Sequence, residues 1–212
     1  MGPYFALIFI FLQYSFIQSA SARSSPQQSN GAEQSTDEMV SLAKKLHEMV
    51  LEDQAVRLAT PFSAERMREV DERNHGVVVR IYQEYGWPTF SMLGEQGAQD
   101  YWLLVQHQTL DFQRKVLPAM EKAMEKKEAS KASYAYLYDR VMIGEGKPQH
   151  WGTQGKCEDG KAKLQPVDDP THLEQRRREA GIYPASEEKY LKLLASHCAA
   201  ANPDTTGAGQ RH

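Results

Sequence analysis

Apolar residues recur at steps of three and four along the middle of this chain, which is the period of an amphipathic helix. The first such face follows Ser35, whose hydroxyl can form a capping box with the carboxylate of Glu38. The face is made of Met39, Leu42, Ala43, Leu46, Met49 and Val50. The pattern predicts a helix that ends near Leu58, before Pro61.

The same period, with caps and breaks between segments, continues almost to the end of the chain. It predicts further helices over residues 64–85, 95–108, 112–127, 133–143, 171–180 and 187–198. Residues 147–170 are irregular, and no run of four or more residues alternates clearly enough to predict a strand. We therefore predict a mostly α fold: a single small globular helical domain with an irregular loop region after the fifth helix.

The first 22 residues have the pattern of a signal peptide. Residues 5–17 are almost wholly apolar, which is too short a run to span a bilayer comfortably, and Ala20-Ser21-Ala22 is a typical cleavage site. The segment before the apolar run lacks Lys and Arg, so an uncleaved signal anchor is the alternative. We predict a signal peptide over 1–22, a flexible spacer over 23–34, the helical domain over 35–200 and a disordered tail over 201–212.

Charge and cleavage together restrict the partners. The net charge of −3 gives no electrostatic case for nucleic acid, which calls for a basic stripe. We expect no association with the membrane once the signal peptide is removed, and a small molecule or a protein as the partner. The predicted location is outside the cell, or the periplasm if the source is bacterial.

Side chains that can carry chemistry are concentrated in the middle of the chain. The candidate catalytic residues are His107, Asp139 and His150. The candidate binding residues are Trp87, Gln106, Arg140, Gln149, Trp151, Thr153 and Gln154. We predict that His107, Asp139 and the loop 149–154 surround one polar pocket, with Trp87 or Trp151 as an apolar wall.

Each of these residues also has a purely structural interpretation. His107 can be a core histidine bonded to backbone or carboxylate, and Asp139 can belong to a structural ion pair. His150 can be an ordinary exposed loop histidine. The chain lacks the HExxH, GxSxG and glycine-rich nucleotide motifs, and its histidines are scattered, so we predict neither a metal site nor a cofactor.

Cys157 and Cys198 are the two cysteines of the chain, and both remain after signal cleavage. In an oxidising compartment such a pair predicts one disulfide, which would tie the loop after Gln154 to the last helix. Two free buried thiols are the alternative.

The ordered string of motifs resembles an uncharacterised domain family that is best represented in bacteria. The resemblance rests on short motifs: Tyr85-Gly86-Trp87-Pro88, Gly94, Trp102 to His107, Tyr136 to Val141, Gly146 to Gln149, Gly152-Thr153-Gln154, Asp169-Pro170, Arg176-Arg177 and Gly181. One departure is Trp151, where the family more usually has Tyr, so this position offers no phenol as proton donor. The resemblance implies no activity, because the family has none assigned.

Two functions of different classes follow from these residues. The first is a non-catalytic secreted domain that uses the polar cluster as a ligand pocket or a structural network, and we favour it. The second is a secreted hydrolase in which His107 or His150 acts as general base and Asp139 orients the imidazole. The two differ in whether the histidines and Asp139 converge on an open cleft.

The sequence makes a testable prediction about export. We expect the mature protein to begin at Arg23, because the apolar run is short and ends in a cleavage site. The intact mass of protein recovered outside the cytoplasm would then correspond to residues 23–212. A full-length mass on a protein retained in the membrane would contradict the prediction.

Overall fold

The computed structural model describes the backbone of residues 30–200, with side chains from residue 35 onward except at 197, 199 and 200. The predicted signal peptide, most of the predicted spacer and the C-terminal tail lie outside this part of the chain. In the described part the elements are α1 Asn30–Leu58, α2 Ala64–Tyr85, α3 Phe90–Gln106, α4 Leu110–Glu125, α5 Lys131–Gly144, β1 Gly155–Glu158, β2 Lys161–Leu164, α6 Leu173–Glu179 and α7 Glu187–Ala200. The prediction of a mostly α, single-domain fold is confirmed.

The helix boundaries show which local signals work. Ser63 caps α2, its hydroxyl accepting a hydrogen bond from the backbone N–H of Arg66, and Gly86 ends the helix with a positive φ of 71°. In contrast, α1 begins at Asn30, five residues before the predicted cap at Ser35. Residues 32–34 are Ala, Glu and Gln, which favour helix, so propensity extends α1 back beyond the capping box.

The core is built by α1 to α5. Leu46, Tyr101 and Leu104 are fully buried where α1 packs against α3. Two large aromatic side chains find backbone partners in this core: the Tyr101 hydroxyl donates to the Val78 carbonyl at 3.1 Å, and the Trp102 indole N–H donates to the Ser133 carbonyl at 2.8 Å. These two rings are thus buried without leaving an unpaired polar group.

One prediction about secondary structure is wrong. Residues 155–164 form an antiparallel hairpin, with Gly155 opposite Leu164 and Glu158 opposite Lys161. Its two-residue turn, Asp159-Gly160, has positive φ at both positions, which is the combination that Asp-Gly accommodates well. Each strand has only four residues, so alternation is too brief to be recognised against the surrounding loop.

The hairpin is joined to the end of the chain. Cys157 of β1 and Cys198 of α7 form the predicted disulfide, with their Cα atoms 5.6 Å apart. α7 also packs directly on the hairpin: a Cβ at Gly155 would lie 2.2 Å from a methyl carbon of Leu194, so a larger residue at this position would force the Leu194 side chain to move. The hairpin, α7 and the loop between α5 and β1 therefore form one unit beside the helical core.

Removal of the disulfide should lower stability measurably. The cysteines are 41 residues apart, and the chain-entropy treatment of such a loop gives at most about 4 kcal/mol. We expect a Cys157→Ser/Cys198→Ala variant to lose up to this amount in denaturant unfolding. The wild type with reductant should approach the variant, whereas reductant should leave the variant unchanged. Equal stabilities of the oxidised wild type and the variant would contradict the prediction.

Candidate functional site

A buried carboxylate organises the loop that follows α5. Asp139 is fully buried in the last part of α5, and both of its oxygens accept hydrogen bonds from the loop. One oxygen accepts from the backbone N–H groups of His150 and Trp151 at 2.7 and 3.0 Å. The other accepts from the backbone N–H and the hydroxyl of Thr153, each at 2.9 Å. Asp139 therefore fixes the course of the backbone from 150 to 153.

Asp139 acts here as a carboxylate. Burial raises its pKa, and the donors from Thr153, Trp151 and His150 oppose that rise. Since both oxygens accept, neither is turned to donate a proton to a neighbour. The charge is thus held by hydrogen bonds to the loop.

Gln149 fixes the loop from inside. Its side chain is fully buried, and its amide bonds to backbone groups at both ends. The amide nitrogen donates to the carbonyls of Gln154 and Gln165 at 2.8 and 3.0 Å. The amide oxygen accepts from the Gln154 N–H at 2.8 Å. The amide therefore joins the two ends of the loop and connects them to the chain that follows β2.

Arg177 of α6 holds the same loop through its backbone carbonyls. Its guanidinium is fully buried and donates to the carbonyls of Trp151 and Gly152 at 3.0 and 2.7 Å and to that of Pro184. The cation also lies over the ring of Tyr190, 4.9 Å from its centroid, and the Tyr190 hydroxyl donates to the Thr153 carbonyl at 2.7 Å. We refer to the loop 149–154, held by Asp139, Gln149 and Arg177, as the anchored loop.

The anchored loop presents His150 and Trp151 toward its outer side. The His150 ring lies 2.7 Å from the Asp168 carboxylate, and both side chains are more than a third exposed. Trp151 is partly buried and packs edge-to-face on Tyr138 and His150, with centroids 5.3 and 4.6 Å away. The imidazole of His150 is thus oriented by Asp168, while Asp139 contacts only its backbone.

His107 belongs to a second polar cluster. It caps the C-terminus of α3, and its Nδ1 lies 2.9 Å from a carboxylate oxygen of Asp53 on α1. The side chains are 2% and 1% exposed. The carboxylate that orients His107 is therefore Asp53 and not Asp139. Asp53 continues the buried face of Leu46 and Val50 at helical spacing, so a carboxylate on an apolar face was the signal that could have revealed it.

Arg57 joins this cluster to α2. Its guanidinium forms ion pairs with Asp53 at 3.2 Å and with Asp71 at 2.5 Å, and its Nε lies 3.2 Å from Nδ1 of His107. We call Asp53, Arg57, Asp71 and His107 the α1–α3 cluster.

Burial and charge set the protonation of the α1–α3 cluster. Burial lowers the pKa of His107, which favours the neutral imidazole, and it raises the pKa of Asp71 to about 6. For Asp53, burial acts in the opposite direction to His107 and Arg57, which together hold the pKa of this carboxyl below its ordinary value. The cluster therefore contains an ionised Asp53 between two nitrogen donors.

Three ligand atoms of this cluster are close enough for a metal ion. Atoms of Asp53, Asp71 and His107 lie within 4.8 Å of one another. The guanidinium of Arg57 contacts all three of these side chains, so Arg57 supplies a positive charge to the two carboxylates and the imidazole.

Gln106 and Arg140 connect the two polar regions. The Nε of Arg140 on α5 donates to the side-chain oxygen of Gln106 on α3 at 2.8 Å. Burial lowers the pKa of Arg140 to about 10, and the positive charge of Arg57 adds to this effect, while Tyr190 opposes it. Arg140 follows Asp139 in the chain and Gln106 precedes His107, so this hydrogen bond links the two regions directly.

The predicted pocket residues are only partly brought together. His107 and Asp139 bond to different partners, and Arg140 with Gln106 lies between them. Trp87 is elsewhere in the core, packed edge-to-face on Tyr101 and lining a narrow cavity with other aromatic and small side chains. Trp151 is the tryptophan that flanks the anchored loop.

The fold and these networks define a single helical domain with an appended hairpin. Over residues 40–200 the sequence matches a family described as a family of unknown function, DUF6624, and the chain belongs to this family. The match agrees with the predicted resemblance to an uncharacterised domain family. No curated protein and no solved structure matches the chain. None of the helices in the described part is long and apolar enough to cross a bilayer.

The role of Asp139 can be tested by Asp139→Asn. The amide would turn an N–H₂ group toward loop donors that now meet a carboxylate, and we expect a loss of about 3 kcal/mol in the free energy of unfolding. Asp111→Asn is a matched control, because Asp111 is 86% exposed and its ion pair is with the exposed Arg114. Similar unfolding curves for both variants would show that the anchored loop does not depend on Asp139.

Proposed function

We propose that the chain is an exported, non-catalytic domain that binds a ligand beside the anchored loop. One observation carries the proposal: three fully buried polar side chains, Asp139, Gln149 and Arg177, hold a loop of six residues. A loop that is ordered before its ligand arrives loses little conformational entropy on binding. Such a rigid loop is suited to recognition.

The hydrogen bonds of Asp139 favour binding over catalysis at this loop. A general base needs a carboxylate that orients its imidazole, and Asp139 instead bonds to backbone N–H groups and to Thr153. His150 is paired with Asp168 at the surface, where water competes with a substrate for proton transfer to or from the imidazole. Of the residues predicted as catalytic, Asp139 supports the shape of the loop.

Export is supported by the disulfide. Disulfides persist in oxidising compartments, and Cys157–Cys198 joins the hairpin to the last helix of the domain. This agrees with the signal-peptide pattern of residues 1–22.

The alternative function, a secreted hydrolase, has a different set of residues in its favour. Asp53 lies 2.9 Å from Nδ1 of His107 and could orient this ring as a general base. The position of Arg140 between this dyad and the anchored loop would then bring a substrate near the imidazole. We rank this second because both members of the dyad are almost fully buried.

Native mass spectrometry of the protein secreted by its own host tests the proposal. We expect a non-covalent adduct that disappears on denaturation, and its mass distinguishes a small molecule from a protein partner. A His150→Ala/Trp151→Ala variant should lose the adduct, since both side chains border the anchored loop. His47→Ala is the control, because the His47 side chain is 50% exposed and also pairs with a carboxylate, that of Asp100, away from the anchored loop. A secreted wild type without any adduct would overturn the proposal.

A panel of chromogenic esters, phosphates and glycosides separates the two functions. We expect no turnover by the wild type beyond that of a folded His107→Asn variant, in which the amide nitrogen can still reach Asp53. Turnover that disappears in His107→Asn would overturn the non-catalytic proposal and establish the hydrolase.

A further inference from the structure

Arg140 is a partly buried cation without a carboxylate partner. Its Nε is bonded to the neutral amide of Gln106, and no acidic residue of the described chain forms an ion pair with its guanidinium. Burying a charge is costly unless the charge is paired and hydrogen-bonded. The position of Arg140 therefore leaves one positive charge to be balanced.

The carboxylates of the neighbouring polar groups already have partners. Asp53 and Asp71 bind Arg57, and Asp139 binds the backbone of the anchored loop. A change of rotamer at Arg140 that reached one of them would have to displace these bonds. An anion from outside the chain would need no such exchange.

Gln106 supplies a second donor beside Arg140. Its side chain is 3% exposed, and its oxygen must face Arg140 because it accepts from Nε. This contact fixes the orientation of the amide, and the amide nitrogen is buried without a hydrogen-bond partner in the described part of the chain. A buried donor left unpaired costs about 1–3 kcal/mol, so an acceptor is missing next to the guanidinium.

We propose that Arg140 and Gln106 form a binding site for the carboxylate group of a small organic acid. The inference rests on the proposed ligand-binding function and names the chemical class of the ligand. The two terminal nitrogens of Arg140 can bind both oxygens of a carboxylate side by side, and one oxygen can also accept from the Gln106 amide. The ligand would thereby balance the charge of the Arg140 guanidinium and accept a hydrogen bond from the Gln106 amide nitrogen.

The charge of the surroundings favours a carboxylate over a phosphate. One guanidinium is uncompensated, and a carboxylate carries one negative charge, whereas a phosphate monoester carries about −1.5 to −2 at neutral pH. Two further arginines already have partners. Arg57 forms ion pairs with Asp53 and Asp71, and Arg177 donates to loop carbonyls. A second negative charge would have no partner there.

The rest of such an acid would lie toward the anchored loop. Arg140 interacts electrostatically with Tyr190, whose hydroxyl is bonded to the Thr153 carbonyl. Tyr190 therefore connects the surroundings of Arg140 with the anchored loop, which makes the loop the second half of the proposed binding surface.

Acetate and acetamide form a matched pair of probes, because they have the same shape and differ in charge. In an NMR titration we expect acetate to shift the Arg140 Nε–H resonance saturably and acetamide to have no comparable effect. Arg140→Gln should abolish saturable acetate binding. Gln106→Glu places a carboxylate next to Arg140 within the chain, and it should also abolish acetate binding while the protein stays folded. His47→Ala should titrate like the wild type.

The inference would be overturned by equal binding of acetamide, by saturable acetate binding retained in Arg140→Gln, or by acetate binding unchanged in Gln106→Glu. Phosphate that binds more tightly than acetate at the same ionic strength would also overturn it. The carboxylate site and the proposed ligand-binding function can fail independently. A native adduct that proves to be neutral would disprove the carboxylate site but not the ligand-binding function. Saturable acetate binding by a protein that carries no native adduct would support the site and disprove the proposed function.

Discussion

The contact between Asp139 and the loop that follows α5 is the interaction on which the rest of this half of the molecule depends. A single buried carboxylate replaces the partners that a strand or helix would give to three backbone N–H groups. Because these groups are satisfied, the chain can pass through the interior without regular secondary structure. Gln149 then donates to the carbonyl of Gln154, and Arg177 donates to those of Trp151 and Gly152. Irregular backbone becomes as well defined here as the helices around it.

The helical part of the fold could be predicted from the sequence because its signals are local. A cap such as Ser63 or a break such as Gly86 acts within one turn, and the apolar period reports which face is buried. The hairpin could not be predicted in the same way. Its four-residue strands depend on packing against α7 and on the disulfide to Cys198, and both contacts are remote in sequence. The disulfide itself was predictable, since two cysteines allow one pairing.

The candidate site shows a similar division. Residue types identified Asp139, Gln149 and Thr153 as belonging together, and they do lie in one network. The partner of His107 could not be found this way, because Asp53 is 54 positions away on α1 and only the packing of α1 against α3 brings the two side chains into contact. Arg177 entered only through a family resemblance. A buried arginine that bonds to carbonyls leaves no pattern in the local sequence.

The position of α7 has a consequence for the order in which this domain is completed. The helix α7 supplies Cys198 to the hairpin and Tyr190 to the anchored loop, so these contacts come from residues that are synthesised after α1 to α5. A polypeptide that is still being made therefore carries its five core helices before the anchored loop has all of its contacts. The loop reaches its full set of hydrogen bonds only when α7 has packed on the hairpin.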